Sequence, residues 1–262
     1  MAPVPTAQDR TVGQSRSPLD VAGLERVATR GWHGAEEALL GEWLLRAGGG
    51  FTGRANSALV VGDPGMPLPD AVDAVTRWYT DRGLRPCAML PGRQSRAADA
   101  AFAAAGWERD EDVLVLTGPL TPVPADGVPV DLSPEPDDAW LAGYRYRGRS
   151  LPPSARAVLV NAGDVVFASV RRDPPPAPLA AVARGVVTDG WLGVAAVTVE
   201  EGYRRQGLAT GVMAGLQRWG AERGAQWVYL QVSASNAPAR ALYRRAGFIE
   251  HHRYHYRRAP LP

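Results

Sequence analysis

The stretch VTVEEGYRRQGLATGVM, residues 197–213, decides the fold of this chain. Its β-branched start is typical of a strand, and the apolar residues after Gly207 recur at the spacing of one helix face. Those apolar residues are Leu208, Val212, Leu216 and Trp219. A strand, a short arginine-glycine loop and a helix in this order aim several main-chain N–H groups at one point, where the helix dipole adds to them. The stretch therefore predicts an anion site suited to a pyrophosphate.

Two familiar phosphate loops do not fit this stretch. It contains neither GKS nor GKT, and the G-x-G-x-x-G pattern is absent from it. All 29 basic residues of the chain are arginine. The lack of lysine excludes a P-loop lysine, a Schiff base and a pyridoxal phosphate enzyme.

Two motifs carry a resemblance to a known family. Arg204-x-x-Gly207-x-Ala209 resembles the pyrophosphate loop of the GCN5-related N-acetyltransferases (GNAT), which bind acyl-coenzyme A. Further on, Asn236-x-x-Ala-x-x-Leu-Tyr-x-x-x-Gly-Phe248 resembles the second signature of that family. The resemblance covers roughly residues 129–258. It implies an α/β (α+β) fold with a mixed, mostly antiparallel sheet, flanked by helices, whose parallel central strands splay apart.

The resemblance also implies a binding site for acetyl-CoA between the strands at 191–199 and 227–232. The main chain of the first strand would hold the pantetheine arm and the thioester carbonyl, and a strand N–H would stabilise the oxyanion. Asn236 would contact the arm, and Tyr243 would face the sulfur as general acid for the leaving thiolate. The implied cofactor-binding residues are Val197, Thr198, Val199, Arg204, Arg205, Gln206, Gly207, Leu208, Ala209, Thr210, Asn236 and Tyr243.

Each of these residues also has a simpler interpretation. Gly207 could be only a loop glycine, and Arg204 and Arg205 could be solvated charges. Tyr243 could be a core aromatic residue of its helix. Asn236 could be only an N-cap, a role that is compatible with touching a ligand.

The general base is not evident from the sequence. Histone-type members carry a glutamate on the long strand, and the matching position here, eleven residues before Arg204, is Gly193. An alkylammonium group has a pKa of about 10.4, so a proton must be removed before the amine attacks. The candidates are Glu200, a water chain ending at a backbone carbonyl, or an acceptor amine of low pKa. Weaker candidates lie on the final strand: His251, His252 and His255.

The proline-rich segment 118–128 predicts a linker. It would follow a disordered tail, 1–19, and a first half, 20–117, and precede the catalytic half, 129–262. AFAAAGW at 101–107 matches LYRRAGF at 242–248, which suggests a duplication with two GNAT-like halves. If so, the strands at 57–61 and 85–90 should be parallel neighbours.

We expect the first half to be a degenerate copy that does not bind acetyl-CoA. Its matching loop, GDPGMPLP at 62–69, has three prolines, which lack N–H donors, and Asp63 where the other loop has arginines. Phe102, which has no hydroxyl, stands at the position of Tyr243.

Local patterns predict the remaining elements. In the second half we expect strands at 165–171, 179–187, 191–199, 227–232 and 249–257, helices at 207–224 and 236–247, and two short helices within 134–160. In the first half we expect strands at 38–46, 57–61, 85–90 and 112–116, with helices at 68–82 and 95–105. The variable segment that would shape the acceptor pocket contains Tyr144, Arg145, Tyr146, Arg147 and Arg149. It would favour an anionic or aromatic acceptor, or it is a solvated basic loop.

Composition narrows the function classes. The net charge of +2 argues against nucleic acid as a partner, and the single cysteine, Cys87, rules out a disulfide framework or a cysteine-based zinc site. No metal, membrane span or secretory signal is expected, which predicts a cytoplasmic monomer or homodimer. The leading hypothesis is transfer of an acetyl group from acetyl-CoA to a primary amine of a small molecule or peptide, by direct attack in a ternary complex. The alternatives are a non-catalytic acyl-CoA sensor or scaffold, and an antibiotic-modifying or mycothiol-synthase-like transferase.

Overall fold

The computed structural model describes residues 17–121, 127–146, 148–174 and 177–260. Most of the expected tail, residues 1–16, lies outside the described residues, as does the segment 122–126 of the expected linker. The other end of the linker needs a correction, because Gly118 and Pro119 belong to a strand.

The described residues form a mixed α/β structure. The strands are β1 (Glu36–Leu40), β2 (Trp43–Ala47), β3 (Ala58–Leu59), β4 (Cys87–Pro91), β5 (Glu108–Arg109), β6 (Val113–Pro119), β7 (Asp131–Ser133), β8 (Asp164–Val170), β9 (Ala181–Thr188), β10 (Trp191–Val199), β11 (Trp227–Ser233) and β12 (Ile249–Arg258). The α-helices are α1 (Val21–Arg30), α2 (Leu68–Thr80), α3 (Arg96–Ala104), α4 (Asp138–Gly143), α5 (Ala155–Val160), α6 (Leu208–Glu222) and α7 (Ala237–Arg245). Short 3-10 helices lie at Arg54–Asn56 and Glu201–Tyr203.

All of these strands belong to one sheet. Among the described residues its order is β1-β2-β3-β4-β12-β6-β11-β10-β9-β8-β7, with β5 paired to β12. Two neighbouring pairs are parallel, β3 with β4 and β10 with β11. The first pair confirms the expected neighbourhood of the strands near 57–61 and 85–90, although β3 is only two residues long. Common ancestry of the two halves stays a prediction.

The two halves exchange their last strands. β6, from the first half, pairs with β11, and β12, at the end of the second half, pairs with β4. β6 and β12 also pair with each other. Leu114 and Leu116 of β6 pack in the apolar cluster of the second half, while Tyr254 and Tyr256 of β12 pack with residues of the first. Separating the halves would therefore expose edge strands and apolar surface.

The central sheet has different partners on its two faces. α6 packs on one face, where Leu216 contacts the backbone of β9 at Gly185. The opposite face is covered by α1 and by the segment that contains α4 and α5. Because side chains alternate along a strand, Arg184 points away from α6 toward Gly31 at the end of α1.

Most predicted elements are present, with one wrong assignment and some omissions. The predicted strand at 38–46 is a hairpin, because Gly41, with φ +57°, turns the chain between β1 and β2. Local sequence patterns did not predict α1, β5 or β7. Within the described residues no helix is long and apolar enough to cross a bilayer, and no group of three or more His, Cys, Asp or Glu could hold a metal ion.

Candidate active site

The strands β10 and β11 separate at their carboxyl ends. Their paired register runs from Trp191–Trp227 to Val194–Leu230, although β10 continues to Val199. Residues 195–199 thus have no strand partner on the β11 side. On the other side a bulge shifts the register with β9 between Ala195 and Thr198, and Ala196 has φ +57°. This bulge leaves a main-chain edge open to an extended ligand.

A run of free amides follows this open edge. Among the described residues, no oxygen accepts a hydrogen bond from the main-chain N–H groups of residues 205–210. Arg205 and Gly207 have φ values of +62° and +76°. Backbone N–H groups that alternate in this way form a concave nest for an anion. The nest coincides with the start of α6, whose dipole also favours negative charge there.

The loop leaves space for a ligand. A Cβ added at Gly207 would meet no atom within 4 Å. Arg204, Arg205 and Gln206 are exposed, so their side chains can reach an anion above the loop. Leu208 is buried and anchors the first turn of α6, while Ala209 is half-buried and Thr210 exposed. The donor set fits a pyrophosphate, because it offers successive N–H groups and two arginines that form no ion pair with a described residue.

Tyr243 is the buried residue of α7 and has 7% of its surface exposed. It packs in the apolar cluster that also contains Val194 and Leu230, the last paired residues of β10 and β11, and Leu208 at the start of α6. Burial raises the pKa of Tyr243 to about 12, which keeps its hydroxyl protonated at neutral pH. A protonated hydroxyl beside the splayed strands can donate a proton to a leaving group.

Asn236 caps α7. Its side-chain oxygen accepts a hydrogen bond from the N–H of Ala239 at 3.2 Å. The residue is exposed, and its amide NH₂ group donates to no described residue. The capping role and contact with a ligand are therefore compatible.

Histone-type members carry a glutamate at the position of Gly193. Here the side chain of Tyr229, from the neighbouring strand β11, occupies the space next to Gly193. A Cβ at Gly193 would lie 2.4 Å from the hydroxyl oxygen of Tyr229 on β11, so a larger residue at position 193 would have to displace the Tyr229 ring. Burial raises the pKa of Tyr229 to about 12. The position of Tyr229 next to Gly193 could not be predicted from the sequence, because it depends on the parallel register of β10 and β11.

The structure separates the candidates for the base. Glu200 is half-buried just after β10, and its amide donates to the carbonyl of Ala180. His255 contacts Asp99 of α3 at 2.8 Å. The buried His252 contacts the equally buried Glu25 of α1 at 2.7 Å. His252 and His255 thus tie the last strand to helices of the first half.

The pair of histidines on β12 has a defined proton arrangement. Nε2 of His251 donates to the carbonyl of Leu19, and its Nδ1 lies 2.8 Å from Nδ1 of His252. Burial lowers the pKa of His251, which keeps it neutral. Nδ1 of His252 is therefore the donor in this contact, and its Nε2 faces the carboxylate of Glu25.

The predicted acceptor segment lies partly in the interior. Tyr144 is buried, Tyr146 is half-buried, and Arg145 and Arg149 are exposed. Arg147 lies outside the described residues. The ring of Phe51, from the first half, lies 6.5 Å from that of Tyr144 and 5.6 Å from that of Tyr146. The segment is therefore an aromatic wall against the first half rather than a solvated loop throughout.

Sequence comparisons agree with this arrangement. Residues 19–257 match the family described as "Probable histone acetyltransferase Rv0428c C-terminal". The chain is 32% identical over 253 residues to the probable histone acetyltransferase Rv0428c of Mycobacterium tuberculosis, covering 90% of this chain and 73% of that protein. It is 26% identical over 257 residues to the uncharacterized N-acetyltransferase YobR of Bacillus subtilis, covering 91% and 98%.

Solved structures share the fold. A GCN5-related N-acetyltransferase from Kribbella flavida superposes with a TM-score of 0.66 at 17% identity and covers 92% of this chain and 96% of its own. A tandem GNAT protein from the clavulanic acid biosynthesis pathway gives a TM-score of 0.58 at 18% identity, with coverage of 84% and 79%. The match to the family over most of the chain, and the GNAT architecture around the open edge of β10, show that this protein is an acetyltransferase of the GNAT type and belongs to the Rv0428c C-terminal family.

Proposed function

We propose that the protein transfers an acetyl group from acetyl-CoA to a primary amine of a small molecule or peptide by direct attack in a ternary complex. The run of free amides at residues 205–210, beside the open edge of β10, carries this proposal. No described carboxylate occupies the loop, so its donors remain for the pyrophosphate. Val197, Thr198 and Val199 offer main-chain groups to the pantetheine arm.

The thioester supplies an activated acetyl carbon. The attacking nitrogen forms the C–N bond and loses a proton, the C–S bond breaks, and the leaving sulfur takes a proton. A strand N–H of β10 stabilises the oxyanion that develops on the carbonyl. Tyr243, whose pKa is raised to about 12 by burial, supplies the proton to sulfur.

Binding and chemistry are tested separately. Titration calorimetry of the intact chain with acetyl-CoA should give a stoichiometry near one, and thiol release should then depend on an added amine from a library. Absence of acetyl-CoA binding would contradict the proposal. Binding without thiol release for every amine would favour a non-catalytic acyl-CoA sensor instead.

A further inference from the structure

Arg184 is a buried arginine with an incomplete set of partners. It lies on β9 with 2% of its surface exposed. Nε donates to the carbonyl of Leu159 at 2.6 Å and Nη1 to that of Gly31 at 2.9 Å. Nη2 is buried and has no hydrogen-bond partner among the described residues. An unpaired charged donor in the interior is costly, so a negative charge near it would be stabilised.

A second arginine lies close by. The guanidinium carbon of Arg54 is 4.1 Å from the ring centroid of Trp32, and that of Arg184 is 4.8 Å from it. The two guanidinium carbons are therefore no more than about 9 Å apart. Both guanidinium groups therefore lie at the same indole ring, and their positive charges act together on an anion beside it.

The loop before Arg54 is rigid and strained. The buried Thr52 has φ +61°, which is unfavourable for a β-branched residue. The side chain of Asn56 holds this loop, because its oxygen accepts from the amides of Gly48 and Gly50, and its NH₂ donates to the carbonyls of Phe51 and Thr52. Backbone strain that is stabilised by surrounding hydrogen bonds is typical of a loop that positions a functional group.

No described carboxylate neutralises this pair. Neither arginine forms an ion pair with a described residue, and Glu25, the buried carboxylate of α1, is engaged by His252. Burial, followed by the charge of Arg54, lowers the pKa of Arg184 to about 9. The buried Arg184 and the half-buried Arg54 thus form a site of positive charge that no described carboxylate compensates.

The pair adjoins the reacting strand. Arg184 is the register partner of Ala195, the last residue of β10 before the bulge. It lies on the sheet face that carries Tyr229, whose hydroxyl lies over Gly193. An anion held there would lie beside the open edge of β10, on the face opposite α6.

A cavity of about 560 Å³ adjoins the same aromatic wall. Phe51 and Tyr146 line it, and both belong to the apolar cluster that contains Trp32. Its charged lining residues are Arg85, Arg149 and Arg258. Glu108 pairs with Arg85 and Asp110 with Arg258, whereas no described carboxylate pairs with Arg149. The lining therefore carries a modest positive charge, which favours an anion.

We propose that the acceptor carries a carboxylate next to its amine, and that Arg54 binds this carboxylate while the buried Arg184 adds positive charge behind it. The acceptor class is thus an amino acid or a similar amino carboxylate, with its side chain against Trp32, Phe51 and Tyr146. This inference rests on the proposed acetyl transfer.

The first test measures binding and does not depend on turnover. A panel of N-acetyl amino acids, each compared with its own carboxamide, is titrated into the intact protein in the presence of CoA. A charge-assisted pair predicts that the best acid binds at least about tenfold more tightly than its carboxamide. Equal affinities in every pair would overturn the inference.

Variants then assign the preference to the site. Arg54→Gln should remove the preference for the acid, and Arg54→Lys should restore part of it, while the affinity for CoA stays unchanged. Arg77→Gln, at an exposed arginine of α2, is the matched control and should behave like the wild type. A preference that survives Arg54→Gln would overturn the inference.

Kinetics distinguish this inference from the proposed function. Amino acids should be acetylated with a lower KM than their amides, and Arg54→Gln should raise KM for the acids with little change for the amides. Acetylation of only neutral amines or of a lysine-rich peptide would overturn the inference and leave the acetyltransfer proposal intact. Thiol release with no amine at all, despite acid-selective binding, would contradict the proposed function and leave the anion site standing.

Discussion

Two strand–loop–helix units of this protein have the same strand pairing, but their loops differ in whether the main-chain amides are hydrogen-bonded. In each, a strand is antiparallel to one neighbour and parallel to the other, as β10 is between β9 and β11 and β3 between β2 and β4. Before α6 the amides of residues 205–210 are free. Before α2 the corresponding loop is filled by carboxylates of the protein itself.

The filled loop shows how the protein satisfies such donors internally. Oε2 of Glu42 accepts from the amide of Asp63 at 2.8 Å, and Oδ1 of Asp63 accepts from the amide of Gly65 at 2.8 Å. Pro67 precedes α2 and has no N–H to offer. The loop before α2 thus satisfies its donors within the protein, whereas the loop before α6 leaves its donors without a described acceptor.

The helices that follow differ in the same sense. Phe102 of α3 is fully buried between Trp43 and Trp107, at ring distances of 6.0 and 4.7 Å. Tyr243 of α7 packs on Phe248 at 5.9 Å and carries a hydroxyl with no described partner. One aromatic residue completes a core, and the other adds a free polar group to the same packing.

The largest expected effect comes from breaking the open loop. Gly207→Val should weaken CoA binding about 10³-fold. Valine is strained at φ +76°, and its side chain would block the charge-assisted hydrogen bonds between the loop amides and the pyrophosphate. Calorimetry measures the dissociation constant. Gly65→Val, at a φ of +74° in the filled loop, is the control and should leave it unchanged. Wild-type affinity in a folded Gly207→Val protein would contradict the site.

Removing the proton donor should have the next largest effect. Tyr243→Phe should lower kcat about 10²-fold, at the low end for general acids, because an alkyl thiolate of pKa roughly 8.5 leaves fairly well unaided. CoA affinity should not change. Phe102→Tyr is the converse control, and its buried hydroxyl should cost stability without adding activity. Full turnover in Tyr243→Phe, with chemistry rate-limiting, would remove this role.

Tyr243 should make the stability of the protein depend on pH, which Phe102 cannot do because it has no ionisable group. Burial raises this pKa from 10.0 to about 12, so the unfolded chain ionises first. Stability is full below pH 10 and falls as the pH rises toward 12, by up to about 2.7 kcal/mol from this residue. Urea unfolding at pH 9 and pH 11 should show a smaller loss for Tyr243→Phe than for the wild type. Equal losses would contradict the assignment.

The smallest effect is expected in the filled loop. Glu42→Gln replaces the charged acceptor of the Asp63 amide with a neutral one, so it should cost about 1 kcal/mol or less of unfolding free energy. The CoA stoichiometry should stay near one, since Pro64 and Pro67 still lack donors. A second bound CoA in this variant would show that carboxylates alone keep the first half from binding.

Local features of the sequence predicted much of the second half. The helix after Gly207 and the cap at Asn236 follow from hydrophobic spacing and from residues with defined backbone preferences, whereas the splayed strands were implied by the resemblance to the GNAT family. Such signals act over a few residues, so they are readable without knowing the fold. The same patterns gave a wrong prediction at β1 and β2. They predicted one strand at 38–46, although the chain turns at Gly41 and forms two strands.

Contacts between distant segments could not be read in this way. β6 and β12 each pair with strands of the other half. Alternation of polar and apolar residues predicts a strand, but it does not predict which strand will be its neighbour. The hydroxyl of Tyr229 over Gly193 and the meeting of Arg54 with Arg184 at Trp32 join residues far apart in the chain. These contacts arise from the packing of strands and helices, which is a property of the folded interior and not of any stretch of sequence.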